Sequence, residues 1–136
     1  GICDARSATA ALVLGAEGVQ MGTRMLASHE SAVHANFKDA IVAANDSGTV
    51  LLDVPGNPTM RVLRTGLAAR VAAHDPDSRL LGKITELYFD GDMEASVANT
   101  GQVSSRIVDL LPVAEIIRQT WDEIESVLAG ARARAR

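Results

Sequence analysis

The opening stretch constrains the fold more than any other part of the chain. Asp4 or Ser7 can cap a helix over residues 5 to 14, where Ala8, Ala11, Leu12 and Leu14 recur at roughly helical spacing. Gly15 suits a helix C-cap, and Gly18 suits a tight turn. Val19 to Met21 then reads as a very short apolar strand, followed by Gly22-Thr23. Loop, helix, turn, strand and loop in such quick succession is the rhythm of a parallel α/β unit.

Length limits how much of such a fold can be present. A complete (β/α)8 barrel needs about 250 residues, and the sequence has 136. The chain opens on Gly1 rather than Met, and a helical pattern starts almost at once, so a piece of a longer protein is expected. Aromatic residues are only 3%, so the core must be built from Ala, Val, Leu and Ile. The net charge of -4 argues against nucleic acid or an anionic membrane as partner. The single cysteine, Cys3, cannot form an internal disulfide, which fits a reducing cytosol. No apolar run approaches the roughly 18 residues of a membrane span, and no signal peptide pattern is seen.

Further along, residues 33 to 44 read as a second helix. Val33, Phe37, Ala40, Ile41 and Ala44 share one face, with Lys38 and Asp39 off it. Asn45-Asp46-Ser47-Gly48 ends it. Thr49 to Leu52 and Met60 to Leu63 are β-prone and flank Pro55-Gly56-Asn57-Pro58, as a loose hairpin or an irregular excursion. Thr65 to Ala73 reads as a short helix stopped by Asp75-Pro76-Asp77. Ile84 to Phe89 is ambiguous between helix and strand, Asp90-Gly91-Asp92 is a turn, and Val97 to Gln102 is ambiguous. Pro112 opens an amphipathic helix to Leu128. Its buried stripe runs through Val113, Ile116, Ile117, Thr120, Trp121, Ile124, Val127 and Leu128. Gly130 ends it, and the basic tail Arg132, Arg134, Arg136 is expected to fray.

Two glycine sites carry the chemistry. Gly1 precedes the first helix, and Gly22-Thr23 follows the short strand. In a parallel barrel these are C-terminal strand ends, where active-site loops lie. Backbone N–H groups there can cradle a phosphate, because glycine permits close approach and a helix N-terminus favours an anion. Thr23 would add a hydroxyl. Turn geometry alone is the competing explanation. The three histidines lack metal-like spacing; capping or solvation suits His29 and His34, and His74 complements a helix end. Cys3 is read as a small packing residue in preference to a reactive thiol. Asp90, Asp92 and Glu94 fit a solvated turn, since EF-hand spacing fails. Trp121 is read as a core or interface anchor, and Gln102 as loop or active-site facing.

The run Gly1-Ile2-Cys3-Asp4-Ala5-Arg6-Ser7, with Ala10-Ala11-Leu12-Val13-Leu14-Gly15-Ala16-Glu17-Gly18-Val19-Gln20-Met21-Gly22-Thr23-Arg24-Met25-Leu26-Ala27, resembles the nitronate monooxygenase family and its FMN-dependent enoyl reductase relatives. Met25 stands where that family usually has Phe, Cys3 where it has Ala, and Ala5 where it has Gly. The likeness is dense over residues 1 to 44, patchy from 49 to 64 and again after 100, where Gly101-Gln102 belongs to it. What it implies is an FMN phosphate site at Gly1, Gln20, Met21, Gly22 and Thr23, contacted mostly through backbone amides. It also implies that the catalytic histidine lies in an upstream Gly-Gly-His segment that this sequence lacks. No catalytic or metal-ligating residue is therefore expected here.

The fold expected is α/β, the C-terminal part of a (β/α)8 TIM barrel with a mostly helical C-terminal extension. Residues 1–32 would be the last βα units with the FMN phosphate loops, 33–111 a helical or irregular insertion, and 112–136 the final helix and tail. The function expected is that of an FMN-dependent oxidoreductase fragment, oxidising alkyl nitronates to carbonyl compounds with O2. The alternatives are an FMN-dependent enoyl-ACP reductase, a nucleotide-binding barrel resembling inosine monophosphate dehydrogenase, and a non-catalytic association module. A small-molecule substrate and a cytoplasmic setting are expected, with self-association left open.

Overall fold

The computed structural model describes residues 1–135. Helix α1 spans Ala5–Val13 and a single-turn helix α2 spans Thr23–Leu26. Helix α3 spans Ala35–Val42, with His34 as its N-cap. Strands β1 (Thr49–Leu52) and β2 (Met60–Leu63) pair antiparallel, with Val50 opposite Val62 and Leu51 opposite Arg61. Helix α4 (Gly66–Ala72) follows, then a wide helical turn at Glu86–Asp90 and a tight one at Gln102–Arg106. Helices α5 (Val113–Asp122) and α6 (Ile124–Arg134) close the chain and pack on α1.

The core lies in two clusters. One joins Cys3 and Ala27 to Phe37, Ile41, Leu87 and Ile107, with Phe37 stacked on Tyr88 at 5.0 Å between ring centres. The other lies under the hairpin, where Leu52 and Val62 meet Leu67, Val71, Leu80 and Val97. The five apolar positions read as the α3 face all join or pack against the first cluster. The two β-prone runs form a true hairpin, resolving that ambiguity. Ile84–Phe89 ends as a helical turn closed by left-handed Gly91.

Six expectations need correction. Val19–Met21 is not a strand, because a strand exists only through its ladder and the described residues offer this segment no partner. Lys38, expected off the apolar face, is nonetheless buried, and its Nζ donates to the His29 carbonyl at 3.2 Å. The helix after Pro112 is two helices, broken at Glu123 with no glycine or proline to mark it. Gly130 lies inside α6, where the helix-forming residues around it outweigh its cost of about 1 kcal/mol. Arg132 and Arg134 belong to that helix rather than to a frayed tail, and Arg136 lies outside the described residues. On α5 only Ile116 and Thr120 are fully buried; Ile117 and Trp121 are 44% and 45% exposed, because α1 covers a narrower stripe than the sequence pattern offers.

Candidate functional site

The first glycine segment is fixed by a reciprocal cap. The Asp4 carboxylate accepts from the Ser7 N–H at 2.8 Å, and Ser7 Oγ accepts from the Asp4 N–H at 3.2 Å and the Cys3 N–H at 3.0 Å. Arg106 adds an ion pair to Asp4 at 2.6 Å. Burial opposes the Asp4 charge, but the Ser7 hydrogen bonds and the Arg106 guanidinium outweigh it and hold the carboxyl below its usual range. Cys3 is 6% exposed, and burial, with the Asp4 charge beside it, pushes its thiol up despite Arg106 and Arg24. A thiol so enclosed is placed as a packing group, in line with its seat in the core beside Ala27 and Ile107.

The second segment is held from one side and open on the other. The N–H groups of Gln20, Met21, Gly22 and Thr23 find no acceptor among the described residues, although the Gly22 carbonyl accepts from Met25 and Leu26. Around Gly22 there is open space where a Cβ would stand, and its φ of -94° demands no glycine. Glycine is therefore not required there by this chain's own packing or backbone. Thr23 is buried; its Oγ1 accepts from the Gly101 N–H at 2.8 Å, so its hydroxyl is turned inward. The helix that follows has one turn, too short for a useful dipole.

The join between the two segments is Gly101 to Val103, which spacing did not reveal. A Cβ on Gly1 would stand 2.6 Å from Val103 Cγ1, and one on Gly101 would stand 2.9 Å from Thr23 Oγ1 and 3.6 Å from Val103 Cγ2. The only sequence signal was the Gly101-Gln102 pair itself. Gln102 is exposed at the start of its turn.

Gln20 is exposed beside a groove of about 800 Å³, lined by Met21, Gly22, Met25, Leu26, Met60 and Asn99, with Glu30 and Arg61 also on it. That size suits a cofactor-scale ligand. On the other side of the segment, Arg24 lines a smaller cleft of about 140 Å³ with Cys3, Arg106 and Asp109. His34 caps α3 by accepting the Asn36 N–H at 3.1 Å; neither His29 nor His74 lines the groove, although His29 is flanked by Ser28 and Glu30, which do. Glu94 accepts from the Gly66 N–H at 2.9 Å and pairs with Arg70, so it braces α4. Among the described residues no cluster of His, Cys, Asp or Glu is placed to hold a metal, and no helix is long and apolar enough to cross a membrane.

A sequence profile of the nitronate monooxygenase family matches residues 1–123. The chain belongs to that family. A probable nitronate monooxygenase of Staphylococcus aureus strain MSSA476 is 28% identical over 136 aligned residues, covering 94% of this chain and 38% of that protein. The protein of strain JH9 matches with the same identity and coverage. FabK from Thermotoga maritima superposes with a TM-score of 0.88 at 34% identity, covering 98% of this chain and 45% of FabK. A mutant of the same FabK gives a TM-score of 0.84 at 35% identity. The chain thus spans less than half the length of each of these relatives.

Proposed function

We propose that this chain supplies the phosphate end of an FMN site in a (β/α)8-barrel oxidoreductase of the nitronate monooxygenase family. The reading rests on one observation: four successive amides, Gln20 to Thr23, without internal acceptors beside open space at Gly22. Amides of this kind bind a phosphate without a dedicated cation. Gly1, placed against Val103, brings the opening loop to the same neighbourhood through Gly101. Residues 1–32 would contribute the phosphate loops, 33–111 an insertion beside them, and 112–136 a closing helical cover.

FMN, if bound here, would supply the redox chemistry between substrate and O2. The chain's own part is to hold the phosphate, to line the groove with Met21, Met25 and Met60, and to keep water from that wall. The substrate favoured is an alkyl nitronate, oxidised to a carbonyl compound. A second reading, FMN-dependent enoyl-ACP reduction, is favoured by the 34% identity with FabK.

Gly22→Val in the full-length protein tests the site. The open space means the fold should change by less than about 0.5 kcal/mol, while the new side chain blocks the approach of a phosphate. The expected result is a loss of bound flavin of about tenfold or more, read as the flavin-to-protein ratio after desalting. Unchanged flavin content would remove the assignment.

A further inference from the structure

We propose that Arg24 is a positioning residue, setting the direction of the Gln20 to Thr23 amides through its two-pronged hold on Asp109. This rests on the FMN reading above.

Arg24 follows the loop directly and is 5% exposed. One guanidinium nitrogen donates to the Asp109 carbonyl oxygen at 2.8 Å, and the other to the Asp109 carboxylate at 2.8 Å. The partners are 85 residues apart in sequence. Both prongs are spent on Asp109, and Arg24 lines the small cleft beside Cys3 while Met21, Gly22 and Thr23 line the large groove. The guanidinium thus faces away from the place where a phosphate would sit, so it is no phosphate ligand.

Its effect is on the loop. The loop has no ladder, and the helix after it is four residues long, too short to be stable by itself. The direction of its amides is therefore imposed by tethers to the 101–111 segment. Among the described residues these are the Gly101 N–H donating to Thr23 Oγ1, Arg24 donating to Asp109, and the His29 N–H donating to the Leu111 carbonyl at 3.1 Å. Of these tethers, only Arg24 makes two contacts, one to the Asp109 carbonyl oxygen and one to its carboxylate, and two points of attachment fix rotation as well as distance. A desolvated arginine is costly to retain, and a fork aimed at one residue is what a loop needs when several donors must converge on one anion.

The experiment compares FMN with riboflavin, which lacks the phosphate, on the apo form of the full-length protein. Dissociation constants are read by flavin fluorescence for wild type, Arg24→Gln, Arg24→Lys and Asp109→Asn. Expected is a loss of FMN affinity of about tenfold or more in Arg24→Gln, with riboflavin affinity changed by less than about threefold. Arg24→Lys, a point charge without the fork, should not restore it. Asp109→Asn keeps the carbonyl contact and should give a smaller loss in the same direction; it carries the test if Arg24→Gln does not fold. Equal weakening of both flavins would mean a merely structural role and would overturn the proposal, as would an unchanged preference for FMN. A wild-type protein with no preference for FMN over riboflavin would instead sink the phosphate assignment itself, and this proposal with it.

Discussion

Asp4 does two things at once: it starts α1 and it ties the opening loop to Arg106. Because its folded carboxyl titrates below the usual range, its contribution is fully present above the unfolded carboxylate value. It is lost as pH falls through the lowered folded value. Asp4→Asn should therefore lower stability at neutral pH, where the ionised side chain contributes, and leave the acid end little altered, which flattens the acid limb of a stability-versus-pH curve; the neutral loss is limited because asparagine also caps helices. An unchanged acid limb in urea titrations would show that other carboxylates dominate there. At this scale, what the sequence disclosed was what depends on near neighbours. Asp4 with Ser7, His34 as a cap, and Gly15 with its φ of 99° all act within four residues. Thr23, Arg24 and Lys38 were not legible, because their partners are Gly101, Asp109 and a carbonyl across a loop. No local pattern encodes those partners.

Among the elements, the turn at Gly91 shows how tightly α3 is seated. Gly91 has φ of 79°, its carbonyl accepts from Asn36, and a Cβ there would collide with the His34 imidazole. Gly91→Ala should cost about 1–3 kcal/mol from backbone strain, with the collision added. Placing His34→Ala beside it should recover the steric part but not the backbone part. Denaturant midpoints of the two single variants and the double variant give the answer, and strict additivity would mean the imidazole does not obstruct that position. The helices and the hairpin were readable because periodicity and turn residues are local signals. The strand at Val19–Met21 was not a property of its own sequence, since pairing needs a neighbour. The break at Glu123 had no turn residue to announce it.

For the whole molecule, coverage decides what to expect of activity. The chain spans 38% of its Staphylococcus aureus relative and 45% of FabK. It also presents Val13, Leu14, Phe89 and Val108 at 58% exposure or more. We expect residues 1–136 by themselves to oxidise no nitronate, even with FMN supplied in excess; oxygen uptake above the enzyme-free rate would contradict this. The family was legible in the opening stretch, whereas the parallel α/β unit expected there was not found, since Val19–Met21 pairs with nothing among the described residues, and the meeting of the two glycine segments at Gly101 to Val103 appeared only once the chain was folded.

Strand β2 belongs to both cores. Val62 points into the cluster under the hairpin, and Leu63, the next residue, points into the cluster around Phe37. A slide of the strand by a single rung would exchange these neighbours and evict both at once. The two halves of the interior are thus keyed to one another like the wards of a lock, and neither can repack unless the other opens.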